Sequence, residues 1–127
     1  MKNYVLIYNL ENEDAQKVFR EEFVKRYPHF QTEYNNNIIY YGFAARELPE
    51  VHDNLHDILQ RLQIGQNDYV AIFYKRKDEP DVLKREMMLG SASLIESKTD
   101  KIPAEVFEGT VNRLLSLNFV KLKSMQA

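Results

Sequence analysis

Residues Tyr4 to Asp14 read YVLIYNLENED: five β-prone side chains, then Asn9-Leu10 and a run of acids broken by Asn12. The run Tyr4-Val5-Leu6-Ile7-Tyr8 is almost continuously apolar or aromatic. That is the pattern of a strand covered on both faces rather than one half-exposed to water. Asn12 then offers a side-chain oxygen to the first turn of a helix, and Glu13 and Asp14 suit the positive end of its dipole. Together they read as a buried strand that feeds directly into a capped helix.

Ala15, Phe19, Phe23 and Tyr27 recur at i+4 with Val18 beside them, which predicts one amphipathic helix, ended by Pro28. Phe30 to Tyr34 reads as a second strand and Ile38 to Phe43 as a third. Asn35, Asn36 and Asn37 between them suit a tight turn, because asparagine tolerates left-handed backbone. Leu48, Val51, Leu55, Ile58, Leu59 and Leu62 mark a second amphipathic helix, with Gly65 placed to help end it. Asp68 to Tyr74 is the fourth strand. The order over residues 2–76 is β-α-β-β-α-β, the ferredoxin-like split βαβ arrangement. Its helices cover one face of the sheet and leave the other open.

Beyond this core the pattern weakens. Lys75 to Asp81 is a charged turn, and Val82 to Leu89 reads as a fifth strand, placed at an edge. Ser91 to Lys101 is polar and reads as a loop. Pro103 suits the first turn of a third helix, with Phe107, Val111, Leu114 and Leu115 as its apolar side. Residues 1–127 are expected to form one α+β domain, with 82–127 an extension packing on the core or on a partner subunit.

Side chains alternate along strands. Strand one shows Tyr4, Leu6 and Tyr8 on one side and Val5 and Ile7 on the other. Strand four shows Tyr69, Ala71 and Phe73 against Val70, Ile72 and Tyr74. Both faces are apolar, so the face away from the first two helices must meet the third helix, a second subunit or a ligand. Tyr4, Tyr8, Tyr69 and Phe73 are the candidate interface residues, since a tyrosine packs its ring while its hydroxyl reaches water or a partner.

The composition excludes several chemistries. The 127 residues include no cysteine. That removes disulfides, thiolate nucleophiles and cysteine zinc sites, and it fits a reducing compartment. No run reads as a signal peptide or a membrane span, so a cytoplasmic protein without a membrane partner is expected. The net charge of −2 argues against a dedicated nucleic-acid binder, whose affinity comes mainly from neutralising phosphates. The four glycines are scattered and form no phosphate loop. Ser91 and Ser93 flank Ala92 without a nucleophile-elbow pattern, which argues against a serine hydrolase.

The segment Val5 to Leu10, VLIYNL, resembles the first signature of RNA-recognition motifs, except that Leu6 stands where an aromatic is usual. Tyr41-Gly42-Phe43-Ala44-Ala45-Arg46-Glu47 keeps the glycine, one aromatic and the alanine of the second signature. It lacks the leading basic residue and the later aromatics, so base stacking is not the expectation. A second resemblance spans residues 2–76. Tyr8-Asn9-Leu10, Phe30-Gln31-Thr32-Glu33 and Asn67-Asp68-Tyr69-Val70-Ala71-Ile72 are similar, in order and spacing, to segments of the small ferredoxin-like proteins of CRISPR adaptation and their relatives outside CRISPR loci. That resemblance implies a homodimer associated with nucleic acid. The family places a metal-binding aspartate where this chain has Asn9, and an amide is a poor ligand for Mg²⁺. The resemblance therefore implies the fold and the dimer, while Asn9 argues against nuclease activity. As a residue on its own, Asn9 reads as a turn or capping position.

His52 and His56 stand at i and i+4 on the second helix, a spacing that can present two imidazoles to one metal. No third ligand is evident, and a solvated helix face is the expectation. Lys75, Arg76, Lys77, Lys84 and Arg85 are the candidate phosphate contacts. Asp78, Glu79, Asp81 and Glu86 are interleaved with them, so the competing reading is a solvated hairpin tip whose charges discourage aggregation. The functional expectation is a homodimer that binds nucleic acid at low salt, without metal-dependent catalysis or a cofactor. The competing expectation is a protein-interaction or regulatory module with an unidentified protein partner.

Overall fold

The structure, a computed structural model, describes residues 1–35, 38–91, 94–103 and 109–117. Among them are six strands and three helices: β1 (Lys2–Asn9), α1 (Glu13–Arg26), β2 (Phe30–Asn35), β3 (Ile38–Ala45), α2 (Leu48–Leu59), β4 (Tyr69–Arg76), β5 (Glu79–Ser91), β6 (Leu94–Pro103) and α3 (Thr110–Leu115). The strands form one antiparallel sheet in the order β2-β3-β1-β4-β5-β6. The element order through residue 76 is the expected one. The strand order differs from a four-stranded ferredoxin-like sheet because β5 and β6 extend it beyond β4.

The Asn12 side chain caps α1, its Oδ1 accepting from the Ala15 N–H at 2.9 Å. Ala15, Phe19, Phe23 and Tyr27 are buried as their spacing predicts, but Val18 is 41% exposed and lies off the stripe. Arg26 ties α1 to α2, donating to the Asn54 carbonyl at 3.0 Å and to Asp57 at 2.5 Å. Hydrogen bonds from Arg26 and then Arg61 hold the Asp57 carboxyl below the usual carboxylate range. α2 ends at Leu59, short of Leu62 and well before Gly65, so Gly65 is not its cap.

Tyr4 and Leu6 of β1, Phe43 of β3 and Val70 and Ile72 of β4 pack with Phe19, Phe23, Val51 and Leu55 of the two helices. The rings run together: Tyr4 stacks on Phe43 at 5.6 Å, and Phe23 meets Phe43 edge-on at 5.1 Å. On the opposite face Val5, Ala44, Ala71, Phe73 and Leu83 pack with Val111 and Leu114 of α3. Of the three coverings expected for that face, α3 of the same chain is the one seen. The Asn3 side chain, on this face, donates to the Leu115 and Leu117 carbonyls, both at 2.6 Å, and so pins the end of α3 to β1. Arg113 makes a paired contact to the Glu33 carboxylate at 3.0 and 2.5 Å. Gly109 enters α3 with φ +81, a backbone that side-chain-bearing residues rarely adopt.

The second half of the chain departs from expectation in four places. The charged turn shrinks to Lys77 and Asp78, because β4 runs to Arg76 and β5 starts at Glu79. β5 is interior, paired with both β4 and β6. The segment read as a polar loop is largely β6; Ala92 and Ser93 lie outside the described residues. Pro103 ends β6, where its missing N–H costs no interior ladder bond, rather than starting a helix. Phe107 and the turn residues Asn36 and Asn37 also lie outside the described residues.

Leu114 is fully buried against the sheet. Leu114→Ala is expected to cost about 2–5 kcal/mol in urea unfolding. An unchanged midpoint would mean that α3 does not cover this face.

Candidate functional site

At the end of the sheet where β1 begins and β4 ends, a cleft of about 270 Å³ opens. Lys2 lines one side, and Lys75, Arg76 and Lys77 line the other. Tyr4 and Tyr74 form its inner wall, and Asp78 is the single carboxylate among the lining residues. Asp78 is held by Arg76 at 2.9 and 3.1 Å. Both partners are more than half exposed, so this pair is readily exchanged for another anion. A protein of net charge −2 thus gathers four cations around one concave surface. Such a surface suits an anion with several oxygens, such as phosphate.

No local motif singles out Lys2. Its position follows from antiparallel pairing: Val5 sits opposite Phe73, and the same register carries Lys2 toward Arg76. The adjacency of strands one and four is the signal that locates it.

The other two expected phosphate contacts lie elsewhere. Lys84 pairs with Tyr74 across the β4–β5 ladder and Arg85 with Phe73, so the two point to opposite faces of the sheet. Lys84 is buried and ion-paired with Glu79 at 3.2 Å. The five expected cations therefore do not form one surface.

The candidate interface residues divide in the same way. Tyr4 and Tyr8 lie on the α1/α2 face, where Tyr8 packs on Phe19 at 4.8 Å. Tyr69 and Phe73 lie on the α3 face. Tyr4 and Phe73 are each 2% exposed. The four belong to two cores, because a strand sends successive side chains to opposite faces.

His52 and His56 do not converge. His52 Nε2 contacts the buried Glu86 carboxylate, which also accepts from the Tyr74 hydroxyl at 3.4 Å. His56 is exposed. Among the described residues no three His, Asp or Glu side chains gather as a metal-holding group. No helix among them is long and apolar enough to cross a membrane.

Asn9 lies at the far end of β1, its side chain directed at the Asn67 carbonyl at 3.5 Å. The adjoining order comes from Asp68, 1% exposed, which accepts from the Glu11 N–H at 3.0 Å and the Gly65 N–H at 2.8 Å. One carboxylate thus joins the loop before α1 to the loop before β4. These two backbone donors satisfy the buried Asp68 carboxylate, which gives the Asn67-Asp68 segment a structural role.

Burial, followed by the charge of the neighbouring Tyr74, pushes the Tyr4 hydroxyl up to about 12. Burial, then Glu86, does the same for Tyr74. In the unfolded chain both ionise near 10. Their contribution to stability is complete below pH 10 and is lost as the pH rises through about 12. The free energy of unfolding should fall across that window in chemical denaturation, and Tyr74→Phe should make the fall shallower.

Compared with known proteins, the chain matches no family model, no curated protein and no solved structure.

Proposed function

We propose that this protein is a nucleic-acid-associated homodimer that holds a phosphate backbone in the cleft between Lys2 and Lys75–Lys77. The observation that carries this reading is the local charge: four cations and one exposed carboxylate line a concave surface on an otherwise acidic protein. Contacts of this kind are made to phosphate and carry no base sequence. Binding is therefore non-specific and salt-sensitive. The spatial order β2-β3-β1-β4, with α1 and α2 packed on one face, supports a ferredoxin-like reading of residues 2–76. It is compatible with the resemblance to the CRISPR adaptation dimers. Asn9 in place of their aspartate favours binding without metal-dependent cleavage.

A second copy is the proposed partner because β6 stands at the outer edge of the described sheet and is ten residues long. A long edge presents backbone donors and acceptors that another strand can use, and a two-fold pair is the commonest closed solution.

Fluorescence anisotropy with a labelled single-stranded oligonucleotide tests the cleft. Three or four phosphate contacts give a log–log salt slope of roughly −2 to −3. The double variant Lys75→Glu/Lys77→Glu should weaken binding at least about tenfold at low salt, since its reversed charges repel the backbone. Absent or salt-insensitive binding refutes the reading. Light scattering tests the partner: a mass near twice 15.1 kDa is expected, and a monomer rejects the dimer.

A further inference from the structure

The ladder between β1 and β3 stops at Leu6 opposite Tyr41. Both strands continue beyond it. β1 remains paired with β4 as far as Asn9 opposite Tyr69, and β3 remains paired with β2 as far as Ile38 opposite Asn35. The sheet therefore splits down its middle at this end. A cleft of about 250 Å³ occupies the split. Its walls are Ile7, Tyr8 and Asn9 on one side and Ile38 and Ile39 on the other.

Two polar side chains of α1 lean over it. Gln16 is fixed by donating to the Leu10 carbonyl at 2.6 Å. Arg20 lines the cleft, is exposed, and has no carboxylate ion pair among the described residues. None of the lining residues is acidic. The site is thus an apolar slot with amide groups and one cation at its mouth, the usual make-up of a small-molecule site. Its volume equals that of roughly eight waters, smaller than a drug-sized pocket.

We propose that this split in the sheet binds a small organic monoanion, an aromatic or branched apolar body bearing one carboxylate. The body lies in the split between Tyr8 and Ile39, the wall residues on the α1 face, and the carboxylate takes a paired hydrogen bond from the Arg20 guanidinium. This site is independent of the basic cleft. The two lie at opposite ends of the eight-residue β1, roughly 24 Å apart.

Benzoate and benzyl alcohol serve as probes in amide-resolved NMR titrations of the whole chain. They share a ring and differ in charge. Benzoate should shift the amides of Ile7 to Leu10 and of Ile38 and Ile39, and the shifts should saturate. Benzyl alcohol should bind the same amides several-fold more weakly. Arg20→Ala should weaken benzoate at least about tenfold, since it removes the paired charge-assisted contact, while Arg20→Lys restores part of it. Lys75→Glu/Lys77→Glu should leave the benzoate titration unchanged whatever it does to nucleic acid. The proposal is overturned if benzoate leaves these amides unmoved, if both probes bind equally, or if Arg20→Ala has no effect.

Discussion

Strand β1 is hydrogen-bonded on both edges and covered on both faces. β3 and β4 flank it, α1 and α2 pack on Tyr4 and Leu6, and α3 packs on Val5. A strand in that position has no solvent side, so every residue from Tyr4 to Leu6 must be apolar or aromatic. Its neighbours inherit the constraint. Phe43 and Ile72 must serve the helix face, and Ala44, Ala71 and Phe73 the other. The short α3 can complete the second core because Asn3, at the start of β1, binds the carbonyl of its last residue, Leu115, and that of Leu117 just beyond it.

The same strand organises both candidate binding surfaces. Its first residues stand beside the end of β4, which brings Lys2 to Lys75–Lys77. Its last residues stay with β4 while β3 stays with β2, and the sheet opens between them. The two ends differ in kind. One is a charged rim suited to a polyanion's backbone. The other is an apolar slot with a single arginine, suited to a compact anion with a hydrophobic body. Both lie at strand ends, where side chains are released from packing and face solvent.

Alternation explains why residues adjacent in sequence do not act together. Lys84 and Arg85 look like a basic pair, but one is buried beside Glu79 and the other lies across the sheet, opposite Phe73. Tyr8 and Tyr69 look like two parts of one aromatic surface, but they belong to different cores. His52 and His56 share a helix, but His52 reaches down to Glu86 while His56 faces water.

Local pattern alone determined the first four strands, the two long helices and the Asn12 cap. These are set by hydrophobic period and capping chemistry, which act over a few residues. It also determined that both faces of the sheet are apolar. Tertiary structure decided the rest. β6 has the sequence LIESKTDKIP, with no apolar alternation, and becomes a strand because β5 supplies a long partner edge. Which residue of the first half meets which of the second, and hence the grouping of Lys2 with Lys75–Lys77, depends on strand order. The opening beside Asn9 depends on where one ladder stops. Neither is written in any short stretch, because backbone pairing between distant strands leaves no periodic trace in the side chains that carry it.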